Sequence, residues 1–226
     1  NRIGDVIIIA PILKSIKSSF PNAEIILVCN EAAKELAEYL KLADKVLGVS
    51  VPWTNWRWSF LEWYKIRNYA KNLHFLDIDL GIDFKGDIRN SWFLWNTHPK
   101  VSFGYDATGG GYFFTNTIIM NQNAHQYSRA SHLIEEFDCQ LNRDKKNRYH
   151  SNKNGCVVLH PGASDLARSW PEFYWIELAR LLSTKFKVSI VITRDSPILF
   201  QKLKVENLKL QCFEGNLVSF CNYIND

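Results

Sequence analysis

Val157–Leu182 reads VVLHPGASDLARSWPEFYWIELARLL. A β-branched run leads into a turn of small and polar residues, and an amphipathic stretch then opens at Pro171. The branched side chains suit a pleated strand, and proline suits the first turn of a helix because its missing N–H would have no helical partner there. The stretch is therefore a strand over Cys156–His160, a βα loop, and a helix from Pro171. The same alternation runs outward in both directions. Upstream, Ala23–Cys29 (AEIILVC) is expected as a strand, Glu31–Leu40 (EAAKELAEYL) as a helix of strong formers, and Lys45–Val51 as the next strand. Downstream come a strand over Lys187–Thr193, a helix near Ile198, a strand over Leu208–Phe213 and a last helix beginning near Leu217. Strands alternating with helices imply βαβ units and parallel sheets, so the fold class is α/β.

The 226 residues, 46% hydrophobic and 22% charged, exclude a disordered chain. No apolar run approaches the roughly 20 residues that span a bilayer. The 27 basic and 23 acidic side chains leave a net charge of +4, short of the basic stripe of a nucleic-acid binder. Cys29, Cys139, Cys156, Cys212 and Cys221 contain no CxxC pair, so neither a disulfide framework nor a zinc site is indicated. Buried reduced thiols in a cytoplasmic protein are expected. The polar stretch NRDKKNRYHSNKNG lacks apolar periodicity and reads as a linker. The expected division is a first domain over 1–141, a linker over 142–155 and a partial second domain over 156–226.

Near the start, Asn1-Arg2-Ile3-Gly4-Asp5 precedes an apolar run broken by Pro11. Val6–Ala10 fits a strand, or Asp5 caps a helix from Val6 that tolerates Pro11 one turn in. Periodicity leaves both open. Leu76–Phe84 (LDIDLGIDF) alternates strictly, with Leu76, Ile78, Leu80 and Ile82 on one face and Asp77, Asp79, Gly81 and Asp83 on the other. That alternation accounts for Asp77-Ile78-Asp79 as the polar face of a strand; the other reading is a DxD metal site of a sugar transferase. His125 and His132, seven apart in an expected helix, lack the HExxH spacing of a zinc enzyme, and Gly109-Gly110-Gly111 is a turn rather than a P-loop.

The loop Gly162-Ala163-Ser164 lies at the carboxyl end of a strand, where open α/β sheets bind ligands. Its amides and the Ser164 hydroxyl suit phosphate oxygens, and Arg168 adds a planar cationic fork. Trp53–Lys71 holds four of the eight tryptophans among Arg57, Lys65, Arg67 and Lys71. At helical spacing Trp56, Phe60 and Trp63 share a face. Such a helix either packs on the sheet or rests on an anionic lipid surface through aromatics and snorkelling cations.

Taken in order, these pieces resemble the family-nine glycosyltransferases, the ADP-heptose:lipopolysaccharide heptosyltransferases. The resemblance is carried by Gly4–Ile25 (GDVIIIAPILKSIKSSFPNAEI), by Gly81-Ile82-Asp83-Phe84-Lys85-Gly86 with Arg89 and Ser91, by Gly104-Tyr105, by His125, and most strongly by Val157–Leu182. It implies a GT-B fold of two Rossmann-like domains, with acceptor on the first and donor on the second. It also implies a chain cut at both ends, its second domain incomplete. In the family the Asp of the Gly-Asp pair is the general base, which falls here on Asp5. Gly162, Ala163, Ser164 and Arg168 would meet the donor phosphates, Leu217 and Val218 the nucleotide base, and Lys85 and Arg89 an anionic acceptor sugar. No cofactor and no metal are implied. The expected partners are a nucleotide sugar, ADP-heptose, and a lipid-linked glycan. The expected location is the cytoplasm, with peripheral contact of 53–71 at the inner membrane. A noncatalytic nucleotide-sugar or glycan-binding protein on the same GT-B fold is the other reading; a Rossmann dehydrogenase is not supported, for want of GxGxxG.

Overall fold

The run left open near the start is helical. In the computed structural model, which describes residues 3–54, 59–141, 156–161, 170–190 and 216–225, α1 spans Ile3–Ser19 and contains both Asp5, in its first turn, and Pro11. Its run of four β-branched residues prefers a strand locally, but tertiary packing overrides that preference. Val6, Ile9, Ile12, Leu13 and Ile16 recur at helical spacing and are all buried. They pack in one core with Leu27, Cys29, Ala33, Ala130 and Ile134. Pro11 lies deeper in the helix than one turn. The carbonyl it leaves unbonded belongs to Ile7, which is exposed, so water can satisfy it.

The chain divides into two compact units, Asn1–Arg143 and Asp144–Asp226. In the first, α1 leads to β1 (Ile26–Cys29), α2 (Glu31–Tyr39) and β2 (Lys45–Gly48). The two strands pair in parallel from Ile26 against Lys45 to Cys29 against Gly48. Asn30 caps α2, its side chain accepting from the Ala32 amide at 3.0 Å. Asp44 ties α1 to this sheet by accepting both from the Ile25 amide and from Lys17 Nζ, each at 2.8 Å. Those hydrogen bonds lower its pKa, that from Ile25 first.

Then follow α3 (Phe60–Asn72), β3 (Leu80–Asp83), α4 (Ile88–Asn96), β4 (Val101–Tyr105), β5 (Asn116–Ile118) and α5 (Gln126–Glu135). Strands β3, β4 and β5 form a second parallel sheet in that order. Tyr105, Ile118 and Leu133 form the core between this sheet and α5.

Two expectations for this unit are corrected. The alternating stretch from Leu76 is not one strand: Leu73–Leu76 is a 3-10 turn, Asp77 turns the chain with φ 47°, and β3 begins only at Leu80. Within β3 burial does not follow the polar–apolar alternation, since Ile82 is only half-buried. Gly81 and Asp83 are the buried residues of β3, whereas Leu80 is exposed, because Leu94 and Pro99 close over Gly81 with no room for a Cβ. The second correction concerns the tryptophan-rich segment, whose helix starts at Phe60 under a Ser59 cap. Phe60 and Trp63, three apart on the helix, differ in burial. Phe60 is 85% exposed, while Trp63 packs on Trp53 at 5.0 Å and Trp92 at 5.4 Å. Trp56 lies outside the described residues.

In the second unit β6 (Cys156–Leu159) and β7 (Lys187–Ile190) pair in parallel. Between them α6 (Glu172–Ser183) packs Ala179 on Leu159. Pro171 caps α6 rather than occupying its first turn. The last described helix, α7, runs Leu217–Asn225. The helix near Ile198 and the strand Leu208–Phe213 fall outside the described residues, as does the linker.

Candidate active site

The first turn of α1 and the loop after β3 meet at one ion pair. Lys85 Nζ lies 3.1 Å from Asp5 Oδ2, with the Asp5 side chain one-fifth exposed. Beside Asp5, Gly4 is exposed with nothing within 4 Å of where a Cβ would stand, so the approach is open. A carboxylate at an open helix start is a group that can take a proton from a hydroxyl brought beside it.

The loop owes its shape to Asp83, at the end of β3. Its Oδ1 accepts from the Lys85 amide at 2.9 Å and its Oδ2 from the Gly86 amide at 3.3 Å. This is an Asp closing a turn on its own backbone two and three residues on. Gly86 takes φ +70°, where an added Cβ would also lie 2.7 Å from Met120 Cε, so glycine is required there. The Asp83 residue is 8% exposed. Burial pushes its carboxyl up to about 6, although both turn amides pull the other way. The chain then enters α4 through Asp87, whose side chain accepts from the Arg89 amide at 3.0 Å. The same carboxylate holds the Arg89 guanidinium through Nε at 2.8 Å and through Nη2. The Arg89 hydrogen bond accordingly holds the Asp87 carboxyl below the usual range.

The two candidates for an anionic acceptor sugar are thus both engaged within the chain, Lys85 by Asp5 and Arg89 by Asp87. An incoming carboxylate or phosphate must compete with those partners. Neither Asp83 nor Asp87 stands out in the sequence as a site residue. The signal that could have found them is the Asp-x-x-Gly-Asp spacing of 83–87, a turn acid followed by a helix cap.

The remaining candidates are spread more widely. Asp77 and Asp79 share Lys100, at 3.1 and 2.8 Å, with both carboxylates exposed. His125 stands before its helix and caps it, Nδ1 accepting from the Tyr127 amide at 3.1 Å, which corrects its placement inside the helix. Cys29 and Cys139 are buried and unbridged, and burial raises the Cys29 thiol. Leu217 and Val218 open α7, half-buried, where Phe220 meets the His160 ring at 5.7 Å. Gly162, Ala163, Ser164 and Arg168 lie outside the described residues.

No family profile matches the chain. A curated relative, lipopolysaccharide heptosyltransferase 1 of Pseudomonas aeruginosa, is 23% identical over 195 residues, 79% of this chain and 55% of the relative. Escherichia coli heptosyltransferase WaaC, solved with ADP, superposes with a TM-score of 0.78 at 16% identity over 99% of this chain and 76% of its own. A family-nine glycosyltransferase from Veillonella parvula superposes with a TM-score of 0.71 at 14% identity, over 94% of this chain and 66% of its own. The chain thus resembles the family-nine glycosyltransferases in sequence and in fold. Its fold is the GT-B fold of these solved structures, α/β with parallel sheets. The chain spans little more than half the length of the curated family-nine relative. Among the described residues no helix is long and apolar enough to cross a membrane.

Proposed function

We propose that this chain belongs to an inverting family-nine glycosyltransferase that moves heptose, or a related sugar, from ADP-heptose to a lipopolysaccharide inner-core or similar glycan, without a metal. The observation that carries the proposal is Asp5, 3.1 Å from Lys85 Nζ at the open start of α1. In the reaction the acceptor hydroxyl attacks the anomeric carbon as the bond to the diphosphate oxygen breaks, and Asp5 takes the hydroxyl proton. Attack from the face opposite the leaving group inverts the centre. Arg168 and the Gly162-Ala163-Ser164 loop would offset the negative charge on the departing ADP, with Leu217 and Val218 against the base. The donor class is supported by the relatives, one of which was also solved with ADP-2-deoxy-2-fluoro heptose. The test is mass-spectrometric product detection with the full-length protein, ADP-heptose and a panel of core acceptors. A gain of one heptose, insensitive to chelator, is expected. Binding of ADP-heptose with no transfer to any acceptor would point instead to a noncatalytic protein.

A lipid-linked acceptor calls for a protein surface that meets a membrane, and α3 offers one. Phe60, Leu61 and Tyr64 are exposed by 85%, 68% and 54%. Lys65, Arg67 and Lys71 are exposed on the same helix, whose sole acid is the half-buried Glu62. Apolar side chains beside unopposed cations fit an anionic lipid surface. Sedimentation with vesicles containing phosphatidylglycerol should exceed that with phosphatidylcholine alone. Phe60→Ser with Leu61→Ser should weaken the anionic-vesicle binding about tenfold, the effect of withdrawing two partly inserted apolar side chains.

A further inference from the structure

Asp83 is a buried carboxylate that pairs with no cation named above, and it is two residues from the lysine that meets Asp5. A buried acid without a cationic partner is costly to keep ionised. An apolar residue or Asn would fill the end of β3 more cheaply. What Asp83 does is local: it takes the amides of Lys85 and Gly86 on its two oxygens, at 2.9 and 3.3 Å, and the Ser91 hydroxyl beside them. Thr108 fastens the other side of the loop, its hydroxyl accepting from the Ile88 amide at 2.7 Å and meeting the Gly86 carbonyl at 3.4 Å. The backbone at Lys85 is thereby fixed, and the direction in which its side chain leaves the loop is fixed with it.

We propose that Asp83 is a positioning residue for the base, holding the Lys85–Gly86 turn in the conformation that carries the Lys85 ammonium onto Asp5. The inference rests on the reading of Asp5 as general base. Asp83 acts through Lys85 and does not touch the acceptor. Lys85 in turn fixes the rotamer of Asp5, so the carboxylate meets the hydroxyl without reorganising.

The test combines a double-mutant cycle with a readout that does not depend on turnover. Asp83→Asn keeps an acceptor for one turn amide only. It is expected to lower kcat about tenfold at unchanged KM for the donor, as is Lys85→Ala, since misplacing a reacting group by a fraction of an ångström has effects of that order. If Asp83 acts through Lys85, the double variant is no slower than either single one, within twofold. Multiplication of the two losses to about a hundredfold would overturn the proposal. Independently, the 15N ammonium resonance of Lys85 should move in Asp83→Asn towards its position in Asp5→Asn. An unmoved Lys85 resonance refutes the positioning role even if Asp5 is the base. A moved resonance together with full activity in Asp5→Asn refutes the base and leaves the positioning intact. Should Asp83→Asn not fold, Asp83→Ser, which removes the buried charge and keeps a hydroxyl for one amide, takes its place with the same expectations.

Discussion

In the full-length protein, Asp5→Asn is expected to lower the transfer rate about a thousandfold while leaving donor affinity within twofold of the parent. The size follows from the role, since a positioned general base contributes roughly a hundredfold to ten-thousandfold. The selectivity follows from place. Asp5 lies in the first turn of α1 in the first unit, while the residues proposed for the donor are all in the second. Asn is nearly isosteric and can still accept a hydrogen bond from Lys85, so the fold should survive. The measurement is single-turnover transfer from ADP-heptose at saturating acceptor, with ADP affinity by calorimetry. Turnover within tenfold of the parent would remove Asp5 as the base, and a large loss of ADP affinity would reassign it to the donor.

The second large effect is a pH dependence of stability, and it comes from Asp83. Its carboxyl is raised in the fold to about 6 from an ordinary 3.8, by burial first and with Asp87 adding to it. The folded state therefore binds the proton more tightly than the unfolded chain. The stabilisation from the protonated form is fully present below about pH 4 and is lost as pH rises through about 6. Roughly two pKa units correspond to about 3 kcal/mol. Asn at the same position has no proton to release. Between pH 4 and pH 7 the unfolding free energy of the parent should accordingly fall by about 3 kcal/mol relative to that of Asp83→Asn. Denaturant unfolding of both proteins across that range reads the difference directly. Parallel curves would mean that Asp83 keeps an ordinary carboxyl, and that the cost of its charge is not what distinguishes it. The conflict is instructive, because the ionised form that weakens the fold is the form with oxygens for both turn amides.

Much of the scaffold was legible from residue order. The strand–helix alternation placed β1, α2, β2, β6, α6, β7 and the start of α7, because in each the branched or amphipathic pattern agrees with the burial that the fold imposes. The strands were shorter than the apolar runs that announce them, since pairing ends where the partner strand ends. Strands β4 and β5 went unread. VSFGY and NTI are short and carry few branched apolar residues, and the Ser102 amide and carbonyl meet the Thr115 hydroxyl at 2.7 and 2.9 Å in a link that no strand pattern announces.

The site divides in the same way. The family resemblance singled out Asp5, Lys85 and Arg89 as separate candidates, but 80 residues of sequence separate Asp5 from Lys85, and no local pattern reports their contact. By itself the sequence determined the α/β class, the parallel alternation and the identity of the chemical groups, because side-chain type and period are local properties. Tertiary structure alone decided that Val6–Ala10 is helical, that Gly81 and Asp83 are the most buried residues of β3, and that Lys85 meets Asp5. Each of those outcomes depends on which neighbour covers a residue, and covering is settled by packing between segments far apart in the chain.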